Sequence, residues 1–124
     1  INTPNAPAPI GPYNQAVLTG NLLFISGQVC IDPPTGNLKN GSIEEETTQV
    51  MENLKAILTE AGLDFSHVVK TTIFITDMNQ FSTINGIYGK YFQTAFPARE
   101  TVQVSALPKM VNVEISMIAI KNQG

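Results

Sequence analysis

From Ser42 to Gly62 the apolar residues Val50, Leu54, Ile57, Leu58 and Ala61 recur at the spacing of a helix with one buried stripe. Ser42 and Glu45 have the separation of a capping box, the acidic run Glu44-Glu45-Glu46 suits the positive end of a helix dipole, and Gly62 supplies a stop. A second helix is predicted over residues 80–92, with Phe81, Ile84, Tyr88 and Tyr91 on its buried side. Gly86 and Gly89 each weaken it by ~1 kcal/mol relative to alanine, and close packing is the expected compensation. Elsewhere the pattern is of β type. Residues 15–19 and 22–28 flank Gly20-Asn21, a two-residue hairpin turn. Residues 68–76 form a β-branched run, and residues 99–105 and 111–120 read as two last strands joined through Leu107-Pro108-Lys109.

Four prolines (Pro4, Pro7, Pro9, Pro12) make residues 1–12 an extended arm that can neither form a helix nor pair as a central strand. Asp32-Pro33-Pro34-Thr35-Gly36-Asn37 reads as a loop. The element order is therefore β-β-α-β-α-β-β. That is an α+β domain spanning 1–124, with one mixed sheet and two helices on one of its faces. Strand parity adds a constraint. In 68–76, Val69, Thr71, Ile73 and Ile75 alternate with Val68, Lys70, Phe74 and Thr76; in 22–28, Leu22 and Phe24 alternate with Leu23 and Ile25. Both faces carry large apolar groups, yet two helices cover only one.

Composition sharpens this. Charged residues are 14% of the chain against ~25% in a typical soluble domain, while 43% is apolar. No apolar run approaches the ~20 residues of a membrane-spanning helix, so self-association is the expected cover for the second face. The net charge is −3, with no cluster of lysine or arginine, so neither nucleic acid nor a membrane is expected as a partner. Cys30 is the only cysteine, which excludes an internal disulfide and a cysteine-based metal site and fits a reducing, cytoplasmic setting. Flanked by Val29 and Ile31, it reads as a small buried hydrophobe. His67, the only histidine, stands before a strand and is expected to make local hydrogen bonds. There is no phosphate-binding glycine loop and no Gly-x-Ser-x-Gly.

Two residues stand apart. Arg99 is the only arginine, and a guanidinium grips a carboxylate bidentately as lysine does not. Glu114 interrupts the most apolar strand; in a cleft, desolvation would raise its pKa and fit it for proton transfer. If the last two strands form a hairpin turning near Ala106-Leu107, Arg99 and Glu114 lie directly opposite each other. The pair is then either a cross-strand ion pair worth roughly 0.2–1 kcal/mol or a site for a small anion.

The run Phe96-Pro97-Ala98-Arg99-Glu100-Thr101-Val102-Gln103-Val104, then Leu107-Pro108 and Val113-Glu114-Ile115-Ser116-Met117-Ile118-Ala119, closely resembles the RidA (YjgF-type) family of reactive-intermediate deaminases. The likeness extends through Asn5-Ala6-Pro7, Ile10-Gly11-Pro12-Tyr13, Ile25-Ser26-Gly27-Gln28 and Val69-Lys70-Thr71-Thr72, in order along essentially the whole chain. The resemblance implies a chorismate-mutase-like fold assembled as a homotrimer with clefts between subunits. It implies hydrolysis of 2-aminoacrylate and 2-aminocrotonate, through their imines, to 2-keto acids and ammonia, with no cofactor and no metal. By motif position Arg99 corresponds to the carboxylate-binding arginine and Glu114 to the water-positioning glutamate, while Tyr13, Ser26, Gly27, Asn85 and Thr101 line the cleft. Two other activities fit relatives of this kind: binding of small 2-keto or amino acids without turnover, and a ribonuclease or translation-inhibitor activity, which the acidic charge balance disfavours.

Overall fold

In the computed structural model, residues 1–121 are described, so the last three positions of the expected 1–124 domain lie outside the described residues. The element order is the expected one: β1 (Ala16–Thr19), β2 (Leu22–Gln28), α1 (Ile43–Glu60), β3 (Val68–Ile75), α2 (Phe81–Gly89), β4 (Ala98–Gln103) and β5 (Val113–Ile120).

Helix α1 begins where its capping chemistry puts it. Ser42 Oγ accepts from Glu45 N–H at 3.0 Å, but the Glu45 carboxylate turns to Gly41 N–H at 2.7 Å instead of closing the box on Ser42. At the other end Gly62 takes φ +77°, a conformation that disfavours a side chain, and Leu63 N–H returns to Leu58 C=O. Val50, Met51, Leu54, Ile57 and Leu58 are fully buried along one stripe. Helix α2 is shorter than its apolar spacing suggests. A 3₁₀ turn at Met78–Gln80 precedes it, and it stops at Gly89, so Tyr91 and Phe92 lie beyond its end. Phe92 is buried there by stacking on Tyr88 and Phe65. The expected close packing at Gly86 and Gly89 is absent, since a Cβ at either would meet nothing within 4 Å.

The five strands form one sheet in the order β1-β2-β5-β3-β4. β1 and β2 are a tight hairpin closed by Thr19↔Leu22 around Gly20 at φ +59°. The last two strands are not a hairpin. β5 lies antiparallel between β2 and β3, and β4 runs parallel to β3 on its other side. A parallel pair needs a crossover, and α2 supplies it between β3 and β4. The register that would set Arg99 opposite Glu114 is therefore overturned. Arg99 pairs with Thr71 and Glu114 with Phe74, on either side of β3. The cross-strand ion pair that does form is Lys70–Glu100, at 3.2 Å.

Alternation divides the sheet. Leu23, Ile25, Ile73, Ile75, Val113, Ile115, Met117 and Ala119 are buried beneath the helices, with Thr71 bonded to α2 through Tyr88. On the opposite face Val17, Phe24 and Val102 are 43–50% exposed, beside half-buried Phe74 and Ile118. The two-faced apolar character expected from parity is present, with one face uncovered in the single chain. Cys30 is buried, and that burial pushes its thiol up to about 11. His67 Nδ1 accepts from Asp64 N–H at 3.1 Å, closing a local cap on the turn before β3. No helix among the described residues is long and apolar enough to cross a membrane.

Replacing Ser42 by alanine removes the α1 cap and is expected to lower stability by about 1 kcal/mol, read as a shift in urea midpoint with unchanged slope.

Candidate functional site

The residues singled out from sequence fall into two groups on opposite faces of the sheet. The first group surrounds a cleft of about 370 Å³ lined by Tyr13, Ser26, Gly27 and Glu114, together with Ile10 and Pro108. Glu114 enters it because β2 bulges. Between Ile25↔Met117 and Gln28↔Ile115, β2 spends three residue steps where β5 spends two. The extra residue puts Gly27 under the Glu114 side chain. A Cβ on Gly27 would stand 2.7 Å from Glu114 Oε2 and 2.8 Å from its Cδ, so glycine here makes the room the carboxylate occupies. Desolvation by burial raises the Glu114 pKa above the usual 4.5.

The wall of this cleft depends on Gln15, a buried side chain that sequence reasoning missed. Its Oε1 accepts from Thr3 N–H at 2.7 Å, and its Nε2 donates to the carbonyls of Thr3, Ala6 and Pro7 at 2.9–3.2 Å. One amide thus holds the proline arm, which has few main-chain donors of its own, so that Pro7, Ala8 and Ile10 line the cleft. Ser26 Oγ donates to Asn14 C=O at 2.7 Å, which ties the bulge to the same segment. Tyr13 is 47% exposed, and its hydroxyl accepts a long 3.4 Å bond from Ile10 N–H.

The second group sits with α2. Arg99 Nη1 donates to Asn85 Oδ1 at 2.6 Å, and the guanidinium carbon lies 5.2 Å from the Tyr88 ring centroid and 5.6 Å from that of Phe81. Two rings and one amide thus hold the guanidinium, which has no carboxylate partner among the described residues. Two residues along β4, on the same face, Thr101 Oγ1 is buried without a hydrogen-bond partner. An unmet buried hydroxyl costs about 1–3 kcal/mol, which an incoming acceptor would recover. Phe81 and Tyr88 were predicted as the buried side of α2, but their stacking on Arg99 required a fold in which β4 lies under that helix.

This is a small α+β domain with a guanidinium that has no carboxylate partner among the described residues on one side of the sheet and, on the other, a carboxyl of raised pKa in a glycine-floored cleft. The family model described as Endoribonuclease L-PSP matches residues 3–121. A RutC family protein of Pyrococcus horikoshii is 52% identical over 98% of this chain and 96% of its own. A Bos taurus protein named 2-iminobutanoate/2-iminopropanoate deaminase is 50% identical over 98% of this chain and 88% of its own. The crystal structure of a Thermotoga maritima protein, described as a putative endoribonuclease, superposes with a TM-score of 0.96 at 50% identity, covering 98% and 96% of the two chains. The chain belongs to the Endoribonuclease L-PSP family, the RidA-type family that its sequence motifs resemble.

Because the folded pKa of Glu114 lies above its unfolded value, the contribution of this carboxyl to stability is fully present below pH 4.5 and is lost as pH rises through the folded pKa. Glu114→Gln abolishes that titration. The variant is expected to gain stability relative to the parent between about pH 4 and pH 7, measured by urea unfolding across that range.

Proposed function

We propose that this chain hydrolyses 2-imino acids, arising from enamines such as 2-aminoacrylate and 2-aminocrotonate, to 2-keto acids and ammonia. The observation that carries the reading is the pairing of site chemistries. Arg99 is held ready with no carboxylate partner among the described residues, and Glu114 is a carboxylate whose burial favours its taking up a proton. A 2-imino acid needs both, a bidentate grip on its carboxylate and a proton shuttle at C2. The name carried by the Bos taurus relative agrees with this chemistry.

The substrate carboxylate lies on Arg99, within reach of the buried Thr101 hydroxyl, and Asn85 fixes the guanidinium plane. Glu114 accepts a proton from water as the water oxygen bonds to C2 of the imine. It returns that proton to nitrogen to give the carbinolamine, then carries the C2 hydroxyl proton to the amino nitrogen as the C=O bond forms and the C–N bond breaks, so that ammonia leaves with the 2-keto acid. Tyr13, Ser26 and Gly27 line the place where C2 and the water meet. Imines of this kind hydrolyse readily unaided, so orientation plus one general acid/base, worth about 10²–10⁴-fold, suffices without a cofactor or metal.

The sheet stands between Arg99 and Glu114, so one small ligand reaches both when they come from different copies of the chain. The apolar stripe of Val17, Phe24, Phe74, Val102 and Ile118 on the open face supports such an assembly, proposed as the chorismate-mutase-like homotrimer with clefts between subunits. The net charge of −3 and the scatter of the seven cations favour a small anion over nucleic acid, and a single buried cysteine fits a cytoplasmic setting.

The test follows keto-acid release from dehydratase-generated 2-aminoacrylate, with oligomer size checked by light scattering. The parent protein is expected to accelerate release. Glu114→Gln should lower kcat by about 10²-fold or more, and Gly27→Ala should also lower it by displacing Glu114. Arg99→Lys should raise KM about tenfold. Tight keto-acid binding without acceleration, or variants as fast as the parent, would sink the reading.

A further inference from the structure

Glu46 is a fully buried carboxylate in the first turns of α1, and no cation lies within ion-pair distance of it among the described residues. It is held by donors instead. Its Oε2 accepts from the backbone N–H of Asn112 at 2.7 Å and of Val113 at 2.9 Å, and its Oε1 accepts from Asn112 Nδ2 at 2.9 Å. These groups lie where the sheet would otherwise fail. The β2 ladder ends at Gln28↔Ile115, so the start of β5 has no β2 neighbour at Asn112 and Val113. On the other side β3 still pairs, through Ile75↔Val113 and Thr76 N–H to Asn112 C=O. The Glu46 carboxylate therefore replaces the missing strand, and the very next residue is Glu114.

We propose that Glu46 is a positioning residue for Glu114: its grip on the Asn112 and Val113 amides sets the peptide plane from which the Glu114 side chain leaves β5 over Gly27. This rests on the deaminase reading of the cleft. Two supports fix Glu114 in direction. The glycine floor leaves it space on one side, and the Glu46 clamp prevents β5 from twisting or fraying one residue upstream. Without the clamp the carboxylate keeps its surroundings but loses its angle to a bound water, a loss that appears in turnover and not in binding. The carboxylate-binding group is remote from the clamp, because Arg99 is carried by β4 and α2.

The experiment compares Glu46→Asp, Glu46→Ala and Glu46→Gln with a core truncation elsewhere on the same helix, Leu58→Ala, well below each melting temperature. Aspartate keeps the charge but is one methylene too short, so kcat is expected to fall roughly tenfold, with KM and inhibition by the product 2-keto acid within about twofold. Alanine, if it folds, falls at least as far. Glutamine, whose single carbonyl oxygen can take both main-chain bonds, is expected to restore kcat to within about threefold. Leu58→Ala lowers the melting temperature without lowering kcat. In parallel, the Glu114 carboxyl ¹³C resonance is expected to shift in Glu46→Asp and to stay in place in Leu58→Ala. A folded Glu46→Asp with parental kcat, a change in KM instead of kcat, or an equal fall in Leu58→Ala would overturn the proposal. A parent protein that accelerates nothing would overturn the deaminase reading instead. The ¹³C comparison then decides the positioning claim alone, an unmoved resonance refuting it.

Discussion

Two helices cannot cover both sides of a five-stranded sheet, and most of what is distinctive about this chain follows from that constraint. Outside the bulge in β2 and the irregular start of β3, side chains alternate along each strand, so a residue is assigned either to the helix side or to the bare side. Arg99, in register with Thr71, goes to the helix side and is stacked by rings from α2. Glu114, between Val113 and Ile115, goes to the bare side. The two chemistries are kept apart by the backbone itself. Even on one face they would stand two strands apart, with β3 between them.

Much of this was legible in the sequence, because it is local. The Ser42 cap, the Gly20-Asn21 turn and the order of elements depend on neighbours within a few residues, and all three are present, while the second half of the expected capping box is not, because Glu45 turns to Gly41. The β4–β5 pairing was not legible. Adjacent strands joined by a short connection usually pair, and nothing local states that α2 makes β3 and β4 parallel and leaves the neighbouring slot to β5. The shortfall at Gly86 and Gly89 has a related cause, since close packing cannot be inferred from the smallness of a residue.

The candidate site was half legible. Arg99 and Glu114 stood out because charge is scarce, and motif resemblance supplied Tyr13, Ser26, Gly27, Asn85 and Thr101. Gln15 and Glu46 were missed. Gln15 looks like the opening of a strand, and the proline arm, though legible, does not say which side chain supplies the four hydrogen bonds that hold it. Glu46 looked like one of three acids serving the helix dipole. Yet it lies four residues before Val50, in phase with Leu54 and Ile57, on the stripe that faces the core. A carboxylate in phase with a buried stripe is the signal that could have found it.

The central position of β5 also governs the order in which the molecule can be made. It is the last strand among the described residues, yet it fills the slot between β2 and β3, which end at Gln28 and Ile75, well before it begins at Val113. Until it arrives, the emerging polypeptide carries two strands whose facing edges have no partner and a helix whose buried acid has nothing to hold. Most stabilising contacts thus join distant parts of the chain, which slows folding and leaves sticky edges exposed meanwhile. The closing step joins β5 to two waiting edges at once, while other copies are also presenting bare apolar sheet.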